Sequence, residues 1–524
     1  MPISATVRPN LYKDSVALMR VSQRVMEERG VQRATLLMGT PANKAMLAEA
    51  RLMRPELDDA RPADLMIVVE AESSAAIDGA IARIAALLDS APAAANEMGA
   101  TPAPSSIALA MARGARATIA QISVPGPYAG AEALKALKQG MHAFIFSDNV
   151  PLAEERALKR LAKRKHLLVM GPDCGTAILR GVPLGFANVV RRGPIGLVGA
   201  SGTGLQEVMC RIDAMGQGIS HAIGTGSRDV HEAIGGATMC QAIDLLAGDA
   251  ATRAIVVVSK PPAAPVADEV LRHVAHAGKR CVVLFLGADR ARTTWPSNAV
   301  PVATLRDAAF AGVALAAGDS FDGVTHDVDR DVLDREARAL SPAQRFVHGL
   351  YSGGTFSIEA QWLWLALGMR VQSNAPIDSD ACTTGDAHRA TDFGADEYTV
   401  GRPHPMIDLS TRVEQLAREA RDPSTAVVVL DVVLGYGSHP DPAAVLAPAI
   451  AGARAAAARA GRHLPVIAFV CGTESDPQSL STQQTALRAA GAMIAADSTS
   501  AARLAGAIAV AASDREAASA AGAR

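Results

Sequence analysis

Over the first 90 residues one alternation recurs three times: a short run of apolar and β-branched residues, then a longer segment whose apolar positions fall three and four apart. SATVRP is followed by SVALMRVSQRVMEERG, ATLLMGT by ANKAMLAEARLM, and DLMIVVEA by SAAIDGAIARIAALLDS. Leu18, Val21 and Val25 keep helical spacing, and Gly30 stops that helix. Three strand–helix units predict a small α/β sandwich over residues 1–95, in which no chemistry is visible. A Pro/Ala-rich joint (APAAANEMGATPAPSS, 91–106) closes it. The alternation resumes over 96–192 with ALKALKQG, AFIFSD, EERALKRLAKRKH and LLVMGPDCGTAI, where the basic run Arg160 to Lys165 is read as a solvated helix face. From 193 to 322 the predicted strands IGLVGA, GISHAIGTGS, AIVVVSK and RCVVLFLGA are separated by helices, which is the layout of a parallel sheet. A charged stretch, 325–345, reads as a connector, and 345–512 repeats the scheme before an Ala/Ser-rich end expected to fray.

The later blocks share a second pattern. A β-branched strand runs into glycine plus small polar residues, and a helix follows. This happens at SGTG (201–204), GTGSRD (224–229), SGGTFS (352–357), GYGSHPD (435–441) and CGTESDP (471–477). Such a turn presents backbone N–H groups at a helix start, which suits an anion; close strand–helix packing is the other use of the glycines. In parallel sheets ligands sit beyond the carboxyl ends of the strands, so two facing domains would gather several helix starts around one anion. Ser201, Gly202, Thr203 and Gly204 are the leading candidates.

Composition narrows the function classes. Lys+Arg at 51 against Asp+Glu at 53 leaves no field for nucleic acid or an anionic membrane. The six cysteines (174, 210, 240, 281, 382, 471) include no C-x-x-C pair, which argues against zinc and disulfides and fits a reducing cytoplasm. No metal site is expected, and the first residues hold no apolar signal region. A dinucleotide site would need an acidic residue at the end of the second strand, where GISHAIGTGS has none; a P-loop would need a lysine after the glycines.

The string GPDCGTAILRGVPLGFANVVRRGPIGLVGASGTGLQEV resembles the α-subunit of succinyl-CoA synthetase and related NDP-forming acyl-CoA synthetases. GRPHPMIDLSTR and VVVLDVVLGYGSHPDP resemble the carboxyl domain of that enzyme's β-subunit. GFANVV, ISHAIGTGSRDV, GLYSGGTFS and MGTPANK are similar to FdrA-type proteins, a resemblance that covers nearly the whole chain. It implies a Rossmann-like CoA-binding-type domain over 96–192 and two flavodoxin-like domains with parallel sheets, α-subunit-like over 193–322 and β-subunit-like over 345–512. The synthetases' phosphorylated His, in a Gly-His-Ala-Gly loop, has no counterpart after CVVLFLGA; AHAG, with His276, lies before that strand. Their acidic partner residue is replaced by SKPPA, which puts Lys260 there, and no ATP-grasp segment is recognisable.

What the resemblance then implies is a cytoplasmic subunit that binds a small phosphorylated or carboxylated ligand directly. FdrA-type proteins are associated with a carbamoyltransferase of purine (allantoin) breakdown, which exchanges oxalurate and phosphate with oxamate and carbamoyl phosphate. Phosphate or carbamoyl phosphate is the expected ligand, no cofactor is required, CoA remains possible, and partner subunits in a hetero-oligomer are expected. Lys260 would neutralise developing charge, with His439 as donor or proton shuttle. Gly435, Gly437 and Ser438 would approach the anion from the second domain, and Cys174, Gly224, Thr225, Gly226 and Thr355 would line the pocket. His404 and Asp408 are assigned to structure. The alternatives are a CoA ligase subunit with a separate ATP-grasp partner and a non-catalytic metabolite-binding subunit.

Overall fold

A computed structural model of the chain describes residues 2–11, 13, 15–89, 104–288, 294–325, 328–377, 386–399 and 403–522. Most of the Pro/Ala-rich joint and Cys382 lie outside them. The chain is mixed α/β with four sheets. The N-terminal block is a three-stranded antiparallel sheet in which Leu65–Ala71 lies between Ile3–Arg8 and Val31–Met38. Its helices Ser15–Met26 and Ser74–Asp89 bury Leu18, Val25, Ile77 and Ile84 against one face. The next block carries three short parallel strands, Ile119–Ile122, His142–Ile145 and Val169–Met170.

The seven-stranded sheet runs Ala299–Pro301, Arg280–Phe285, Ala254–Ser259, Arg192–Gly199, Ile219–Gly224, Thr176–Leu179, Val182–Gly185. The first five are parallel and the last two form an antiparallel hairpin at the edge. That hairpin comes from before residue 192, so the sheet crosses the boundary expected there. The six-stranded sheet is parallel throughout, with Phe346–Tyr351 and Thr425–Val433 at its centre. Its central strand TAVVVLDVV is buried at every position, as a strand covered on both faces must be.

These two sheets share one core. Leu205, Val208 and Ile212 from the helix Gly202–Ala214 join Phe356, Ala360 and Trp364 from the helix Gly354–Leu365 in a single apolar cluster. Polar contacts close the same interface: Asn188 Nδ2 donates to Asp476 Oδ2 (2.8 Å), and Val189 N–H donates to Asp476 Oδ1 (2.7 Å). The turn at 471–477 therefore serves the interface, not a ligand.

Two expectations need correction. Residues 325–345 include the helix Arg330–Ala339, because Asp329 Oδ1 caps it by accepting from Asp331 N–H (3.0 Å) and Val332 N–H (3.1 Å). The Ala/Ser-rich end continues as one helix, Ser498–Gly522, in keeping with alanine's high helix propensity. Among the described residues no helix is long and apolar enough to cross a membrane.

Candidate functional site

Two of the glycine-rich turns meet head to head. Ser201 caps the helix Gly202–Ala214, its Oγ accepting from Gly204 N–H (2.9 Å), and Gly353 caps Gly354–Leu365 with no side chain to offer. The Ser201 and Thr355 hydroxyls share a short hydrogen bond between the two helix starts. The approach requires glycine: a Cβ at Gly353 would lie 2.5 Å from Thr203 Cγ2 and 2.6 Å from its Oγ1. Among the described residues the N–H groups of Gly202, Thr203, Gly354 and Thr355 have no partner. Four donors and two positive helix ends thus converge, each end stabilising an anion by about 0.3–1 kcal/mol, more where partly buried.

They open into a cleft of about 590 Å³. Ser201, Gly202, Thr203, Cys174, Gly224, Thr225, Gly226, Thr355 and Lys260 all line it. Gly204 does not, because its N–H is spent on the Ser201 cap. Cys174 is buried, and burial pushes its thiol up to about 12, so it is a wall of the pocket and not a thiolate nucleophile. Lys260 is half-buried at the end of Ala254–Ser259, with no ion pair among the described residues. A Cβ at Gly354 would lie 3.1 Å from Lys260 Nζ and 2.6 Å from Asp392 Oδ2, so both side chains reach the second helix start.

The turn at 435–441 is elsewhere, and its expected role does not hold. Gly435 and Gly437 have φ of 102° and 84°, and a Cβ at each would strike Ala187 O (2.5 Å) or Phe186 Cδ1 (2.9 Å). Phe186 and Ala187 thus occupy the space between that turn and the cleft, and Gly435, Gly437, Ser438 and His439 are absent from its lining. His439 Nδ1 accepts from Asp441 N–H (3.0 Å), which makes it a local turn cap. His276 is exposed at the end of Ala264–His276, also away from the cleft.

Several cleft residues escaped the sequence reading. His404, assigned to structure, lines the cleft, and burial takes its ring down to about 4. Its Nδ1 accepts from Met406 N–H (3.3 Å), so the neutral ring carries its proton on Nε2. Asp392 is buried, and burial raises its carboxyl against the opposing pull of Gly394 N–H and Lys260. Thr176 Oγ1 and Gln206 Oε1 are buried in the lining and have no hydrogen-bond partner among the described residues. Asp173 is open to the cleft's water yet deeply surrounded by protein; the second fact, with Asp148 and Asp396 adding like charge, takes its carboxyl up to about 6 despite the Ser227 hydroxyl bond and Lys260. One letter separates Gly-Pro-Asp-Cys here from the synthetases' Gly-Pro-Asn-Cys, and that was the available signal.

Asp173 gives the cleft a pH dependence with a definite sign. Below about 6 its carboxyl is neutral; above, it is an anion that opposes any anion entering the cleft. Sulfate, whose own charge is constant, is expected to bind about tenfold more weakly at pH 7.5 than at pH 5. Calorimetric titration of Asp173→Asn should show a much flatter profile; an equally steep one would remove Asp173 from the site.

Beneath the cleft a buried ion network fixes one wall. Lys159 Nζ donates to Glu155 Oε1 (2.8 Å), Asp229 Oδ1 (2.7 Å) and Thr225 O (3.3 Å). Asp229 in turn accepts from the N–H groups of Thr238 (3.0 Å) and Met239 (2.9 Å) at the next helix start. Asp229 is thus committed to structure.

Facing helix starts on two joined, largely parallel sheets fit a succinyl-CoA-synthetase-like architecture, and comparison with known proteins agrees. A family model described as CoA binding domain matches residues 190–287, and one described as CoA-ligase matches 350–508. The first lies almost wholly in the block expected to be α-subunit-like and touches 96–192 only at its last three residues. A third, described as AllF, heavy metal-associated domain, matches 1–104. A succinate–CoA ligase α-subunit from Aquifex aeolicus is 28% identical over 145 residues, 26% of this chain and 46% of that one. A malate–CoA ligase α-subunit from Methylorubrum extorquens is 26% identical over 152 residues, 28% and 50% of the two chains. The protein YahF of Escherichia coli is 40% identical over 505 residues, 95% of this chain and 97% of its own. The chain belongs to the FdrA-like family that includes YahF.

Proposed function

We propose that this chain is a subunit of a carbamoyl-transferring enzyme, holding phosphate or the phosphate of carbamoyl phosphate between the two facing helix starts. The observation that carries the reading is the convergence of the unpartnered N–H groups of Gly202, Thr203, Gly354 and Thr355 beside the orphaned Thr176 hydroxyl. In oxalurate cleavage a phosphate oxygen attacks the carbamoyl carbon, the bond to the oxamate nitrogen breaks, and that nitrogen takes a proton. The helix starts position the attacking phosphate, Lys260 offsets charge on the carboxylate or the developing oxyanion, and the neutral His404 ring can donate a hydrogen bond from Nε2–H, while the departing nitrogen takes its proton from the attacking hydrogen phosphate. Gln206 Oε1 and the cleft's aspartates are acceptors, which a ligand with both anionic oxygens and N–H groups would satisfy. Carbamoyl phosphate is such a ligand.

The reading is tested by assaying carbamoyl phosphate formation from oxalurate and phosphate, with the chain alone and with co-purified partners. Formation that depends on this chain supports it, and none in either form counts against it. The second reading, a CoA ligase subunit working with an ATP-grasp partner, is favoured by the two matched CoA-ligase-type models. ADP formation from ATP that requires both a carboxylate and CoA, with such a partner present, would select it.

Thr176→Val separates ligand binding from packing. The change removes a buried hydroxyl that has no partner among the described residues, so the unfolding midpoint should hold or rise slightly. Phosphate affinity should fall about tenfold, the worth of one hydrogen bond to a charged group. Calorimetric titration checks it; unchanged affinity would place the anion elsewhere.

A further inference from the structure

Away from the cleft, the helices Ala237–Gly248 and Ala264–His276 bring Cys240, Glu269 and His273 together, with one ligand atom from each lying within 4.8 Å of the others. We propose that these three side chains form a binding site for Zn²⁺ or a similar thiophilic divalent ion. None of the three lines the cleft, and the site is independent of the reading given above. Sequence spacing did not show it, because the ligands come from two helices and include a single cysteine.

The geometry carries the inference in three respects. His273 Nε2 lies 3.4 Å from Glu269 Oε1. Zinc bond lengths near 2.0–2.2 Å give a tetrahedral shell an edge of about 3.4 Å, so this pair is already at ligand spacing. His273 Nδ1 is 2.7 Å from Asp244 Oδ1, which leaves Nε2 for a metal and fixes the ring through the carboxylate–imidazole pairing that metal-bound histidines use. Cys240 is 6% exposed while His273 and Glu269 are partly open, so the sulfur forms the floor of a site entered from solvent. Glu269 also pairs with Arg272, and Arg272 and Lys163 are the cations near the thiol. On binding, Glu269 exchanges Arg272 for the metal, and the Cys240 proton passes to solvent. Water completes a fourth position, and the ion ties the two helices together.

Cobalt(II) makes the test spectroscopic. The full chain, stripped with a chelator, is titrated with Co²⁺. One equivalent should bind with a near-ultraviolet thiolate-to-cobalt band and with visible bands of tetrahedral intensity, both displaced by one equivalent of Zn²⁺. Cys240→Ser should abolish the thiolate band. His273→Gln and Glu269→Gln change partly exposed residues and should preserve the fold while weakening cobalt binding at least tenfold; Asp244→Asn should weaken it about tenfold. The block matched by the heavy metal-associated model holds no cysteine, so a thiolate band cannot arise there. A wild-type chain without the band, a band that survives Cys240→Ser, or unchanged affinity in folded His273→Gln would overturn the proposal.

Discussion

Lys159→Met is expected to cost about 3–5 kcal/mol of stability, because it leaves the buried carboxylates of Glu155 and Asp229 without their shared cation. Lys159 is 2% exposed and both partners are fully buried, so water cannot replace the lost charge. Met keeps the length and apolar stem, which isolates the charge as the cause. Part of the loss is softened, since Asp229 keeps its two helix N–H donors and Glu155 keeps Arg228 at 2.9 Å. A urea unfolding midpoint clearly below that of the parent is the expected sign. A shift no larger than that of an exposed lysine variant would mean that the network contributes little.

Lys260→Met is expected to lower phosphate-dependent transfer about 100-fold or more, as removal of a donor to transition-state charge does elsewhere. The half-buried ammonium borders the cleft beside the Gly354 helix start, with no committed partner among the described residues. A point charge suffices for a phosphate or a carboxylate, so Lys260→Arg should retain much of the activity. The unfolding midpoint should stay near that of the parent, as no ion pair is broken. Activity within a few-fold of the parent in the Met variant would return Lys260 to the role of a strand-end lysine.

The strand–glycine–helix grammar was legible because it is local. Helix starts, strand cores and most of the first cleft wall follow from residues within ten positions of one another. Which turn faces which was not legible, since that depends on how two sheets share a core. SGGTFS and GYGSHPD look alike as strings, yet Phe186 and Ala187 pack against the second and close it to the cleft, while the first meets Thr203. His439 looked like a donor or proton shuttle but satisfies its own turn. His404 looked structural, and the fold carries it to the cleft, where its ring lies against Phe186. The Asp173 carboxyl and the orphaned Thr176 and Gln206 atoms depend on burial from several segments, which periodicity does not report. The added helix Arg330–Ala339 shows the converse: Asp329 was a readable cap, overlooked because the stretch is highly charged.

The central claim is that the facing helix starts hold an anion. Gly202→Val is the most direct probe, because a Cβ there would lie 3.3 Å from Thr176 Oγ1 and the branched side chain would cover the Gly202 and Thr203 N–H groups. Calorimetric titration of phosphate into the parent and the variant, both verified as folded by circular dichroism, decides it. Saturable binding to the parent, lost at least 100-fold in Gly202→Val, is the predicted result, since two of the four converging N–H groups are covered and the space they face is filled. Equal affinity in the folded variant would contradict the account and leave close packing as the reason for the glycines.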